Sequence, residues 1–183
     1  MTRLIQLIYV SRFVAGNRGM LSEMRNILTS SRTNNYHNQL TGCLLFDREI
    51  FVQIIEGGED KVRTSFERIA GDHRHEAVRI IQDAPIPARD FPVWAMAGFV
   101  RSEANESLFR SHRFLTQKST GRFEPQRLID LANALVALDQ PSILSDIRPA
   151  VKIPEPQAQS GQTRFYEAMR APDHDGITTR ANS

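Results

Sequence analysis

In Thr41-Gly42-Cys43-Leu44-Leu45-Phe46-Asp47-Arg48-Glu49-Ile50-Phe51-Val52-Gln53-Ile54-Ile55-Glu56-Gly57-Gly58, two apolar runs flank three charged residues. That spacing predicts a hairpin of strands Thr41–Phe46 and Ile50–Ile55, ended by the glycine pair. Downstream, Val62, Phe66 and Ile69 recur at i, i+4 and i+7, which predicts a helix over Glu59–Gly71. Ala77–Ile81 then reads as a strand, and Val93–Val100 as another after the Pro85–Pro92 loop. Upstream, Asn34-Asn35 and Asn38-Gln39 read as a polar loop. A helix is expected over Met20–Arg32, with Met20, Met24, Ile27 and Leu28 on one face, and a buried strand over Leu4–Val10, with a break at Gly16–Gly19 between them.

The order β-α-β-β-α-β plus one further strand is the ferredoxin-like pattern, an α+β fold. Each helix carries a single apolar stripe, so the two should cover one face of the sheet. Cover for the other face is expected from residues 101–140, read as helix, turn, helix. There Phe109, Phe114, Leu115, Leu128, Leu131, Leu135 and Leu138 supply apolar surface. The chain thus divides into a core over 1–100, a helical extension over 101–140 and a tail over 141–183. The tail holds five of the nine prolines (Pro141, Pro149, Pro154, Pro156, Pro172) and a Gln/Ser/Gly stretch at 157–162. It is too poor in apolar surface to offset its ordering entropy and is expected to be mobile, apart from a short helix around Arg164–Arg170 with Phe165, Tyr166 and Met169 on one side.

Composition narrows the function classes. The 183 residues include 23 Lys+Arg and 21 Asp+Glu, with 40% hydrophobic and 24% charged residues. Basic and acidic side chains number 12 and 11 over residues 1–100, 6 and 5 over 101–140, and 5 and 5 over 141–183. A nucleic-acid binder needs basic residues clustered on one face, and this balance provides none. No apolar run approaches the roughly 20 residues of a membrane span. The N-terminus lacks a small-residue cleavage site and reads as a strand, not a signal peptide. The single cysteine, Cys43, falls in an apolar strand as a small buried hydrophobe and fits a reducing cytoplasm. His73 and His75 have no third ligand nearby, so no metal is expected.

Several polar side chains interrupt apolar elements. Gln53 shares a strand face with Phe51 and Ile55, and Tyr9 sits near the end of the first strand. Trp94 and Met96 lie two apart in the last strand and so share a face. Each has an ordinary structural reading: a strand Gln on the solvated face, a strand Tyr or Trp in the core, an Asn pair as a cap or turn. Together, a phenol, two kinds of amide and an indole around one pocket could hold a flat heteroaromatic ligand with both donors and acceptors.

These residues also carry a resemblance. Tyr9, Asn34-Asn35 followed by Leu40-Thr41-Gly42-Cys43-Leu44-Leu45, Phe51-Val52-Gln53-Ile54-Ile55-Glu56-Gly57, Arg68-Ile69, Asp72-His73-Arg74-His75 and Trp94-Ala95-Met96 occur in order over about residues 3–100. In this the chain resembles a BLUF domain, the family of flavin-based blue-light sensors, and the extension at 101–140 resembles its short, stand-alone members. The chain departs from the family in a longer Arg12–Gly19 connection and in Gln39, where many members have Gly. The resemblance implies a non-covalently bound FAD, with FMN and riboflavin left open, whose ring lies between the two helices of the core. It implies Asn35 on the carbonyl and N–H edge of the ring with Asn34 close by, Arg68 and Asp72 near the other edge, and Ile27 and Ile69 against the faces. It also implies that Tyr9 gives an electron and a proton to the photoexcited flavin and recovers them. Gln53, between the Tyr9 hydroxyl and the flavin, would then exchange donor and acceptor by a flip or tautomer change. Trp94 and Met96 would carry that change into the helices.

No P-loop, zinc-spacing or cyclase-like acidic pattern is visible, so a catalytic output is not expected. The signal would leave through a partner protein in trans or through changed self-association, and a homo-oligomer is expected. Two alternatives stay open: a ferredoxin-like interaction module without flavin, and a flavin oxidoreductase. The latter lacks a nicotinamide fingerprint, because Gly16-Asn17-Arg18-Gly19 is not G-x-G-x-x-G.

Overall fold

Strand β1 (Leu4–Phe13) is an interior strand of a five-stranded sheet, its residues buried almost throughout because apolar side chains predominate on both of its faces. A computed structural model describes residues 3–14, 20–93 and 95–138. After β1 come α1 (Met20–Asn38), β2 (Thr41–Asp47), β3 (Ile50–Gly58), α2 (Glu59–Ala70), β4 (His75–Pro85) and β5 (Ala97–Val100). The sheet order is β4-β1-β3-β2-β5. All pairs are antiparallel except β2 with β5. This is the ferredoxin-like α+β architecture with one added edge strand.

Strands β1, β2 and β3 are buried on both sides of the sheet, which is why they read as largely apolar runs. On one face Ile8, Val10, Cys43, Leu45, Val52 and Ile54 pack against residues C-terminal to the sheet. On the other, Ile5, Leu7, Tyr9 and Ile55 meet Val62 and Phe66 of α2. Beside them, Phe13, Leu44, Phe46 and Phe51 meet Met24, Ile27 and Leu28 of α1. Burying a Leu or Phe of this kind contributes about 1.5–3 kcal/mol each.

Strands β1 and β3 each run three residues beyond their expected ends, and four larger differences separate the elements from the sequence reading. Helix α1 runs to Asn38 instead of ending at Arg32, so Asn34 and Asn35 belong to the helix and not to a loop. Their weak helix propensity is overridden by bonds elsewhere: Asn38 Nδ2 reaches Asn34 O at 2.7 Å, and Asn35 reaches across to the segment before β5. The helix stops at Gln39, whose φ of 56° is the left-handed conformation glycine adopts most readily. Strand β4 spans His75–Pro85, longer than Ala77–Ile81. Its edge position leaves polar residues such as Glu76 exposed, and so masks the pattern.

Strand β5 is shorter than Val93–Val100. The chain before it is claimed by other partners, since Asp90 N and Phe91 N both donate to the Glu56 carboxylate at 3.0 Å. Met96 therefore precedes the strand instead of lying in it. Trp94 falls outside the described residues, as do the Gly16–Gly19 break, the 141–183 tail and its Arg164–Arg170 helix.

The extension is a 3-10 turn (Glu103–Asn105) and three helices, α3 (Glu106–Ser111), α4 (Phe114–Thr120) and α5 (Pro125–Ala137), not two helices. Left-handed residues at Arg113 and Gly121 break the run. Phe109, Phe114, Leu128, Leu131 and Leu135 do cover the sheet, while Leu138, 47% exposed, does not. Asp47 ties the extension to the β2–β3 turn through Arg101 at 3.3 Å and Lys118 at 3.1 Å. No helix among the described residues is long and apolar enough to cross a membrane.

Candidate functional site

The antiparallel register sets Tyr9 of β1 directly opposite Gln53 of β3. Both side chains point toward the helical layer and are buried, and the Tyr9 hydroxyl donates to Gln53 Oε1. Tyr9 also packs on Phe66, with ring centroids 5.3 Å apart. Burial pushes the phenol pKa up, and the nearby Asp72 charge adds to it, so Tyr9 holds its proton at any physiological pH. The other end of the Gln53 amide faces Met96, with Nε2 3.7 Å from Sδ. A thioether is a weak acceptor, so this primary amide, only 3% exposed, is left under-satisfied among the described residues.

Gln53 also forms part of the wall of a cavity of about 170 Å³ between α1 and α2. Ile27 enters it from α1 and Ile69 from α2, two apolar surfaces on opposing helices. Ser30, Ser31 and Asn34 contribute polar groups from α1, and Arg68, Asp72, Arg74 and His75 from the far side. Asn35 is buried beside the cavity without lining it. Its Nδ2 donates to Ala95 O at 2.7 Å, and its Oδ1 has no partner among the described residues.

The turn after α2 is built around Asp72. Its Oδ1 accepts from Arg74 N at 2.9 Å and from Arg74 Nε at 2.9 Å. The Arg74 guanidinium holds the Asp72 pKa down to about 2. His75 turns inward, its Nδ1 2.9 Å from the Ser11 hydroxyl, and burial lowers its pKa to about 4 despite the opposing pull of Asp72.

The structure therefore gathers Ile27, Asn34, Gln53, Arg68, Ile69 and Asp72 around one cavity, with Tyr9 and Met96 in contact with Gln53 in its wall, while the Asn35 side chain bonds to Ala95 instead. Four lining residues are not assigned to the site by the sequence reading: Ser30, Ser31, Arg74 and His75. The serines stand three and four residues after Ile27 and Asn34 seven, a helical face legible only if α1 is read through to Asn38. His75 was weighed together with His73 as a metal pair. Their side chains separate, and that of His73 is 93% exposed.

An acid-stability prediction follows from His75. Its folded pKa of about 4 lies below the ordinary 6.5, so between these values the unfolded chain binds a proton that the folded chain refuses. Stability should be full above about pH 6.5 and fall by up to ~3 kcal/mol as pH drops toward 4. Asp72 extends the loss from 3.8 down to about 2. Urea midpoints measured from pH 7 to 4 should fall in the parent and flatten in His75→Phe; a parent midpoint that stays level would refute the assignment.

The cavity suits a flat heteroaromatic group: aliphatic side chains from opposing helices for its faces, donors and acceptors for its edges, and an under-satisfied amide N–H in the wall. Comparison with known proteins agrees. Residues 4–97 match the family model described as sensors of blue-light using FAD. The chain belongs to the BLUF family. Over 91 residues it is 31% identical to the photoactivated adenylate cyclase subunit beta of Euglena gracilis, covering 50% of this chain and 10% of that subunit. It thus spans about a tenth of that relative. The dark-state structure of BlrB, a BLUF protein, superposes with a TM-score of 0.64 at 29% identity, covering 74% of this chain and 98% of that one. Photo-activated BlsA gives a TM-score of 0.60 at 26% identity, covering 73% and 94%. The ferredoxin-like BLUF fold and its flavin-based blue-light sensing are thus the frame for this cavity.

Proposed function

We propose that this chain is a blue-light sensor holding FAD non-covalently in the α1–α2 cavity, and that Tyr9 and Gln53 form its switch. The observation that carries the reading is Gln53: one end of its buried amide is committed to the Tyr9 hydroxyl, and the other has only a thioether. When bound, the flavin supplies a light-excited electron acceptor. Ile27 and Ile69 would flank the ring, Asn34 and, beside it on α1, Asn35 would serve its carbonyl and N–H edge, and Arg68, Asp72, Arg74 and His75 would serve the opposite edge.

Tyr9 would give up an electron to that acceptor and its phenolic proton by way of Gln53 Oε1, to which its hydroxyl already donates, and would recover both on recombination. Rotation or tautomerisation of the amide then exchanges its donor and acceptor ends with no movement of the backbone. The N–H facing Met96 is lost or redirected in that exchange. The segment through Trp94 and Met96 changes packing as a result and alters the docking of the helices that follow β5.

The signal passes to a partner protein in trans or through self-association of a homo-oligomer. Near-complete coverage of BlrB supports reading this stretch as a sensing unit. The single buried Cys43 fits a cytoplasmic setting.

The test is the visible spectrum of the purified protein in the dark, after blue light and during dark recovery. A yellow protein whose oxidised-flavin band shifts slightly to the red and reverts is the expected result. A protein that stays colourless after incubation with FAD would instead make this an interaction module, and steady reduction by NADH or NADPH would make it an oxidoreductase.

A further inference from the structure

Strand β5 begins only at Ala97, so the two carbonyls before it have no place in the sheet ladder. Helix α1 supplies donors to both. Asn35 Nδ2 reaches Ala95 O at 2.7 Å, and Arg32 Nε reaches Met96 O at 3.0 Å. One turn earlier, Leu28 sits so close to Gly98 that a Cβ added there would lie 2.6 Å from Leu28 Cδ1. Leu28, Arg32 and Asn35 stand at i, i+4 and i+7, one seam of the helix, running along residues 98, 96 and 95. Arg32 is buried at 8% exposure and does not line the cavity.

The residue clamped by Arg32 is also the one whose sulfur lies 3.7 Å from the Gln53 amide nitrogen. Backbone clamp and side-chain contact thus meet on a single residue. We propose that Arg32 is a positioning residue for the switch, holding the Met96 carbonyl so that the thioether stays against Gln53 in the dark state. The inference rests on the sensor reading above and adds to it a control on the lit-state lifetime. A contact made in one of two states shifts their balance by its own strength. The clamp is already re-forming at the barrier on the way back, so with it removed both the dark arrangement and that barrier are less favoured and return from the lit state slows.

The variants are R32M, which keeps the aliphatic stem and removes the Nε–H, and R32K, which keeps the charge without the fork. Full-length R32M should retain parental flavin content and dark spectrum. Its recovery after blue light should slow by about tenfold, the scale of one charge-assisted hydrogen bond, with R32K in between. In an M96L background R32M should leave the recovery rate unchanged, because its effect acts through the thioether. Parental recovery in R32M, or the same slowing with and without M96L, would overturn the proposal; a general packing defect gives that second pattern. R32K carries the comparison should R32M not fold.

A second readout needs no photocycle. With ¹³C-methyl-labelled methionine, the Met96 resonance, assigned through M96L, should shift or broaden in R32M while that of Met24 stays. If the parent shows no reversible red shift, the sensor reading fails and the methyl spectrum alone decides the clamp. An unmoved Met96 resonance refutes it.

Discussion

Gln53→Leu should fold, bind flavin and lose the reversible red shift entirely. Leucine approximates the volume of the glutamine but has neither donor nor acceptor, so the Tyr9 hydroxyl loses its acceptor and the wall of the cavity loses its amide. The position is 3% exposed, so the hydroxyl loses its partner in a buried setting. Leaving the Tyr9 hydroxyl unsatisfied should cost about 1–3 kcal/mol, a loss a domain of this size survives. Tyr9→Phe should also abolish the shift, at smaller cost to stability, because the Gln53 oxygen left behind can turn toward the cavity. The double variant Tyr9→Phe/Gln53→Leu should recover stability relative to Gln53→Leu, since both polar ends of the bond are then gone. Light-minus-dark difference spectra and urea midpoints measure both effects. A red shift persisting in Gln53→Leu would remove the amide from the mechanism and leave Tyr9 Oη without its first proton acceptor.

The two halves of the proposed switch are legible at different levels. That Tyr9 and Gln53 are polar residues on apolar strands is visible in sequence, and period two assigns each to a face. That they are cross-strand neighbours follows only from the β1–β3 register, a long-range pairing no local pattern encodes. The hairpin around Asp47-Arg48-Glu49 could be read because its partners are near in sequence and its turn is short. Helix α1 was cut short at Arg32 for the opposite reason. The Asn-rich stretch from Asn34 to Asn38 is locally a poor helix, and what keeps it helical includes a bond from Asn35 to Ala95, sixty residues away. The strand predicted over Val93–Val100 was trimmed by the same physics. Glu56, fully buried with its pKa pushed up by burial, takes the N–H groups of Asp90 and Phe91 and carries the chain away from the sheet. Buried polar groups seek whichever partner the tertiary fold offers, and the sequence shows the need without showing the partner.

Gly42→Ala should cause the largest loss of stability of any single methyl addition in the sheet. Gly42 has a φ of 155°, and a Cβ at this position would lie 1.9 Å from Ile54 O and 2.9 Å from Ile54 C. Both are main-chain atoms of the paired strand, so no side chain can rotate aside; β3 itself must move. The cost should exceed about 3 kcal/mol, in the range reserved for backbone clashes and core disruption. Two other glycines provide the scale. At Gly98 the added methyl meets the tip of Leu28 at 2.6 Å, a flexible group that can yield at a cost in packing. At Gly121 nothing lies within 4 Å, and only the φ of 68° resists, worth about 1–2 kcal/mol. Chemical denaturation should rank the losses Gly42→Ala well above Gly98→Ala, and Gly98→Ala above Gly121→Ala. A Gly42→Ala midpoint near that of Gly121→Ala would mean that β2 and β3 are not packed this closely. Their closeness bears on the switch as well as on the fold. Gly42 pairs with Ile55, and Leu44, two residues on, pairs with Gln53. A shift that relieves the clash must carry Gln53 with it, so any Gly42→Ala protein that still folds should retain flavin poorly or respond to light with reduced amplitude.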